Sequence, residues 1–341
     1  MGDLTVRKIV ALGVVVLVVV ALWTAAWFWA ASELRRQVAM LGEADGETAP
    51  RLTCGVFEVG GFPFRFDLEC RDGVLVDQDR TYGIKGVRAS VLIYSPSHAI
   101  FSAASPMTLA NAFTGSESRI DFASLEGSAR LVAADPIRGL AGEGWRIARV
   151  SVQADAITWN ETIIGDLLQL EADHAEAHLI DMGERHDAEA GTAALAGFAK
   201  ADGLTVPAFD VTDGNASLEV ELTGLPDDLR VLAADPDPIR NWQRRDGEFR
   251  LVRFAGDQPA PEEMFEISGE ARLGPSGLLA AQVTYRQKRV LDRLEGLMPP
   301  LQLAAIKGKP EADGSSGNTL TIVDGRMRLL TLDLLEIGPL F

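Results

Sequence analysis

The rhythm of hydrophobic and polar residues changes once along this chain. Residues 9–31 form a block of 23 without a charge, preceded by Arg7 and Lys8 and followed by Glu33, Arg35 and Arg36. At about 1.5 Å per residue, a helix of that length covers roughly 34 Å, enough to cross a hydrocarbon core of about 30 Å. From Leu52 onward, apolar residues alternate with polar ones in short runs separated by Gly, Asp, Asn and Pro. That is the period of half-buried strands joined by turns. Strands are expected at 73–76, 86–94, 99–101, 120–125, 128–133, 146–158, 217–222, 249–254, 265–273, 278–285, 319–323 and 326–330. Gly274–Pro275–Ser276–Gly277 and Asp324–Gly325 have the composition of strand-joining turns.

Helical spacing is scarcer. Val290, Leu291, Leu294 and Leu297 suggest a helix over 289–303, interrupted by Pro299–Pro300. Residues 188–201 are an alanine-rich candidate, and 227–242 a third, broken by Pro236 and Pro238. Residues 32–51 read as a juxtamembrane helix running into a linker at 42–50. The expected fold is therefore mainly β (α+β). One transmembrane helix (1–31 with its cytoplasmic tip) and the segment 32–51 lead into a β-rich domain over 52–341, a long curved antiparallel sheet with two or three helices.

The apolar block is longer than the 7–15 residues of a cleaved signal, and Trp27–Phe28–Trp29 stands where small residues would be cleaved. This predicts an uncleaved signal anchor. Arg7 and Lys8 stay on the cytoplasmic side, the aromatic residues lie at the far interface, and residues 33–341 are exported. Arg35 and Arg36 on the exported side run against that polarity.

Both cysteines of the chain flank one aromatic stretch, "CGVFEVGGFPFRFDLEC", from Cys54 to Cys70. Gly60–Gly61–Phe62–Pro63 reads as a turn. Beyond it Phe64, Phe66, Leu68 and Cys70 alternate with Arg65, Asp67 and Glu69. Folding the arms about Phe62 sets Cys54 opposite Cys70 and Val56 opposite Leu68, a register in which a disulfide is geometrically possible. Two buried free thiols fit the same spacing. Export to an oxidising compartment favours the disulfide.

Charge narrows the partners. The chain carries −17; Asp3, Arg7 and Lys8 leave a net +1 on residues 1–32, so residues 33–341 carry −18. So acidic a surface argues against nucleic acid and against broad adhesion to anionic lipid heads. "LVAADPIRGLAGEGWRIARV" from Leu131 is echoed by "VLAADPDPIRNWQRRDGEFRLVRF" from Val231. A duplicated sheet unit and a chance match of common residues both produce such an echo.

The hydrophobic anchor, "LTCGVFEVGGFPFRFDLEC", "GVRASVLIYSPSHAIFSAASPMTL" and "ISGEARLGPSGLLAAQVTY" together resemble a bacterial envelope family, domain-of-unknown-function family 2125. The Gly-Phe-Pro-Phe-Arg core between two cysteines is the most specific of these segments. The resemblance covers about residues 33–341 and carries over no catalytic residues. It implies a single-pass protein of the bacterial inner membrane with most of its chain in the periplasm. More distantly, such sequences are similar to envelope proteins that hold or pass lipids on long curved antiparallel sheets.

Candidate chemistry is sparse. His174, Glu176, His178 and His186 lie in "DHAEAHLIDMGERH". On a helix, His174 and His178 would share a face as metal ligands do; on a strand, His174, Glu176 and His178 would share one instead. "GSSGN" at 314–318 lacks the spacing of a nucleophile elbow, and no phosphate-binding glycine pattern occurs. No cofactor is expected. Phe62, Phe64, Phe66 and Leu68 are candidates to line an apolar groove, or equally to fill a core. The leading functional expectation is a non-enzymatic envelope protein, anchored in inner-membrane lipid through residues 9–31, whose sheet binds lipid or another apolar ligand. A scaffold for other envelope proteins and a metal-dependent hydrolase using His174 and His178 are the rivals.

Overall fold

The computed structural model describes residues 2–133, 144–187, 189–228, 230–231, 235–297, 299–329 and 332–341. Its elements fall into two compact units, Met1–Ile120 and Asp121–Phe341. The described strands number seventeen, and every register recorded between them is antiparallel.

The first unit opens with α1 (Gly2–Gly42), which absorbs both the apolar block and the expected juxtamembrane helix without a break. It contains a segment long and apolar enough to cross a membrane. Asp45 closes the turn after it by accepting the backbone N–H groups of Glu47, Thr48 and Ala49. The Thr48 hydroxyl first, and these backbone bonds after it, hold its carboxyl well below the usual carboxylate range. A meander follows: β1 (Arg51–Gly60), β2 (Arg65–Asp77), β3 (Arg80–Leu92), β4 (Ser95–Asn111) and β5 (Ser116–Asp121). The core of the unit is where α1 meets β1. Trp27, Ala31 and Val59 are buried, with Leu34, Phe57, Phe66, Leu68 and Ile93 packed around them.

The second unit continues the meander with β6 (Ser124–Ala133), β7 (Trp145–Glu161), β8 (Leu167–Asp181), β9 (Thr192–Val206) and β10 (Val211–Pro226). Then come α2 (Pro238–Arg244), β11 (Glu248–Pro259), β12 (Glu262–Leu273) and β13 (Leu279–Lys288). After α3 (Pro300–Lys307) the chain ends in β14 (Lys309–Pro310), β15 (Ser316–Val323), β16 (Arg326–Leu329) and β17 (Leu332–Glu336). The turns expected at 274–277 and 324–325 join β12 to β13 and β15 to β16. Among the described residues of this unit, half of the buried apolar side chains are alanines, beside Phe122, Leu273, Leu303, Ile322 and Leu329.

Three local expectations are corrected. The alanine-rich stretch expected as a helix over 188–201 is not helical over its described residues, 189–201: from Thr192 it is β9, paired with β8 on one side and β10 on the other. Two ladders of backbone hydrogen bonds outweigh a propensity worth tenths of a kcal/mol per residue. The helix expected over 289–303 is a short 3-10 turn (Val290–Leu294) and then α3, because Arg289 and Gly296 take left-handed backbone angles (φ 65° and 83°) and Pro300 restarts the helix at its first turn. The strand expected at 120–125 is split between the end of β5 and the start of β6. The third candidate, 227–242, has the expected interruption: residues 230 and 231 are helical, 235–237 are not, and a helix resumes at Pro238, capped by the Asp237 side chain accepting from the Arg240 N–H. The echoed segments include 134–143 and 232–234, which lie outside the described residues.

The hairpin register is corrected too. Cys54 pairs with Gly73 and Phe57 with Cys70, three residues from the expected alignment. The turn is longer than Gly60–Pro63: Gly60 pairs with Asp67, and the chain reverses over 61–66 through a cis Phe62–Pro63 bond. Gly61 sits at φ 93°, where a Cβ would fall 2.7 Å from the Arg65 carbonyl oxygen. Asp72, in left-handed conformation at φ 48°, interrupts the ladder between Arg71 and Gly73. There Cys54 and Cys70 come to a Cα–Cα distance of 5.4 Å and are joined as a disulfide across the diagonal.

Candidate apolar ligand site

Sheet pairing in the second unit sorts residues onto two chemically distinct faces. Ala154 is opposite Ala175, Ala175 opposite Ala201 and Ala201 opposite Ala216; one step along, Val152, Ala177, Ala199, Leu218 and Phe254 are aligned in the same way. Strand alternation puts all of these on one side of β7–β11. They line a trough of about 370 Å³. Its floor is alanine, so the backbone is covered by methyl groups only and room remains above it. Ala177 and Phe254 are exposed. Farther along, Leu179 and Val220 crowd Gly197, whose missing Cβ would meet a Val220 methyl at 2.8 Å.

A second cavity of about 420 Å³ shares Ala216 and Phe254 with the trough. It is lined by Leu204 and Val206 of β9, Phe209 of the following turn, Val211 of β10, Met264 and Phe265 of β12, and Val290. Phe254 and Phe265 meet edge to face at 4.9 Å. The polar side chains of the wall are tied to one another. Arg293 donates from Nε to Glu263 Oε1 at 3.0 Å and also bonds the backbone oxygens of Phe209 and Asp210. Gln258 donates to Glu263 at 2.9 Å and accepts from the Thr212 N–H. Asn215 donates to Asp257 at 3.0 Å. Glu263 raises the Arg293 pKa, so the guanidinium stays charged. With those bonds made, apolar surface is what the cavity offers a ligand.

The opposite face of the same strands is polar and carries the histidines. His174 Nδ1 lies 2.7 Å from Asp155, whose carboxyl is held below its ordinary pKa by the Ser124 hydroxyl first and by His174 second. His178 is bonded to Ser151 and, at 3.1 Å, to Glu176, and it stacks on Phe198. His186, away from β8, bonds Asp181 at 2.6 Å. Because His174 and His178 are on a strand, four residues separate them by about 13 Å, too far to share one ion. Among the described residues, no group of three or more His, Cys, Asp or Glu side chains is placed to hold a metal.

The hairpin phenylalanines are elsewhere, in the first unit. Phe66 stacks on Trp27 at 5.4 Å, and Leu68 packs on the same cluster. Phe62 meets Trp27 edge-on and Phe28 face-on, while Phe64 is 64% exposed. The four thus contact or flank α1 rather than lining one groove together. Sequence reasoning missed the residues that do line the cavity. The alternation of Leu204, Val206, Phe209 and Val211 around Pro207 was the available signal, obscured by the helical reading of the alanines before it.

No curated protein and no solved structure matches this chain. A family described as an uncharacterized protein conserved in bacteria (DUF2125) matches residues 27–337. The chain, with its N-terminal apolar helix, paired cysteines and antiparallel sheet, belongs to that family.

Proposed function

We propose that this protein is anchored in the bacterial inner membrane by α1, carries the rest of its chain in the periplasm, and binds the acyl part of a lipid on the alanine-floored face of β7–β11 without catalysing a reaction. The observation that carries the reading is the pairing of an open apolar trough with an adjoining cavity whose polar side chains already satisfy one another. A ligand there is held by apolar contact, at about 0.8 kcal/mol for each methylene removed from water. The floor is small by composition: larger residues at Ala175, Ala177, Ala199 and Ala201 would fill the space an acyl chain needs. The uncharged helix next to Arg7 and Lys8 supports the anchor, and the disulfide supports an oxidising compartment.

The test is native mass spectrometry of the full chain purified from membranes, with displacement of a fluorescent fatty-acid analogue as a second readout. Wild type is expected to carry lipid and to bind the analogue. Ala177→Glu, an exposed position in the trough, is expected to lose both while keeping the circular dichroism of the wild type. Wild-type protein that carries no lipid and binds no analogue would overturn the proposal.

A further inference from the structure

The sequence places an aromatic turn between two cysteines, and the structure places that turn beside the apolar helix. Trp23 donates its indole N–H to the Pro63 carbonyl at 3.0 Å, and Trp27 donates to the Arg65 carbonyl at 3.1 Å. Farther along α1, Arg35 donates to the Val59 carbonyl at 3.0 Å. These three bonds run the hairpin alongside the helix with its tip toward the helix N-terminus. They also settle a physical cost, since an indole N–H and a backbone carbonyl left unpaired in an apolar medium are each expensive.

The helix supplies a ruler. Counting 1.5 Å per residue from Ile9, a hydrocarbon core of about 30 Å ends near Trp29, and Trp23 lies about 9 Å short of that boundary. Whatever is hydrogen-bonded to Trp23 is drawn to the same depth. The tip has the composition for it: residues 60–64 are Gly-Gly-Phe-Pro-Phe, without a charge. Phe64 is 64% exposed, and its carbonyl accepts the Ile93 N–H at 3.0 Å, which brings the β3–β4 turn alongside with Tyr94 77% exposed. The nearest charged pair, Arg65 with Asp67 at 2.8 Å, sits level with Trp27, where an arginine reaches water by extending its side chain.

We infer that the disulfide-pinned hairpin tip, with Phe62 and Phe64 exposed and Tyr94 of the β3–β4 turn beside them, inserts into the periplasmic interface of the bilayer that α1 crosses. The partner is the phospholipid interface itself, continuous with the surface of the helix. The inference rests on the reading of α1 as a membrane span. The hairpin then acts as a foot that sets the orientation of the first unit to the membrane, with the polar part of β2 beyond Asp67 in water.

The experiment uses the full chain in phosphatidylcholine vesicles, with brominated acyl chains as quenchers. A single added cysteine is labelled with an environment-sensitive fluorophore at Val15→Cys in the helix, Phe64→Cys at the tip, or Thr114→Cys in the β4–β5 turn. That turn is separated from the tip by the length of β4, on the order of 50 Å. Expected are strong quenching at position 15, about 9 Å inside the cytoplasmic boundary, and quenching at position 64 by acyl-chain bromines at a similar distance from the bilayer centre, several-fold above that at position 114. Quenching at 15 with position 64 no different from 114 overturns the insertion and leaves the span intact. Absence of quenching at 15 overturns the span, and with it the inference.

Discussion

Replacing Cys54 and Cys70 together by alanine tests how the hairpin holds its register. Among the described strands β1 is paired with β2, whereas β2 also pairs with β3 from Arg65 opposite Leu92 to Asp77 opposite Arg80. Losing the bond therefore releases β1, not β2. The bond spans 16 residues of sequence. In the chain-entropy account a loop of that length is worth about 3 kcal/mol, roughly a hundredfold in the population of the opened state. Arg51 is exposed and lies in β1 opposite Val76, so trypsin reaches its backbone when β1 detaches. With protease slow relative to reclosing, the cleavage rate follows the open population. The double variant, in nanodiscs, should be cut after Arg51 up to about a hundred times faster than wild type by that estimate, with cleavage after Arg250 of the second unit unchanged. Reduced wild type should behave like the variant. Equal rates at Arg51 in variant and wild type would refute the reasoning, because the ladder and the contacts with α1 would then hold β1 without a covalent bond.

Arg293→Ala should destabilise the second unit by about 3 kcal/mol in urea denaturation, since it leaves the buried Glu263 carboxylate with Gln258 as its remaining side-chain partner. Leu329→Ala, at a fully buried position of β16, should cost about 2–5 kcal/mol in the same assay. Burial raises the Tyr285 phenol above its ordinary value while its hydroxyl donates to the Ile306 carbonyl. The neutral phenol is thus favoured in the fold, and its stabilisation is full below about pH 10 and lost as pH rises through the raised value. Tyr285→Phe should abolish that alkaline loss, read as melting temperature against pH. Intact mass of the protein extracted from membranes should include residues 1–31; a chain beginning near Ser32 would show cleavage instead of anchoring.

The hydrophobic pattern by itself determined the α1 segment, the mainly antiparallel β character and the turns at 274–277 and 324–325. Each of these depends on neighbours close in sequence, either a long uncharged run or the angles that glycine and proline favour. The pairing of Cys54 with Cys70 was legible from their spacing and the compartment the sequence predicts, but the register was not. Nothing local shows that the chain reverses over 61–66, or that Asp72 turns the strand so that the sulfurs meet diagonally. Alanine misled for a related reason. Residues 192–201 favour a helix locally, yet between β8 and β10 their small side chains serve a sheet face that must leave room above it. The histidines show the same dependence, since His174 and His178 sit on one turn if helical and about 13 Å apart in β8. The trough and the cavity belong to tertiary structure alone. They arise where Ala154, Ala175, Ala201 and Ala216, spread over more than sixty positions of sequence, are brought side by side by strand register. A volume left empty is a property of how strands align, and no single stretch of residues encodes it.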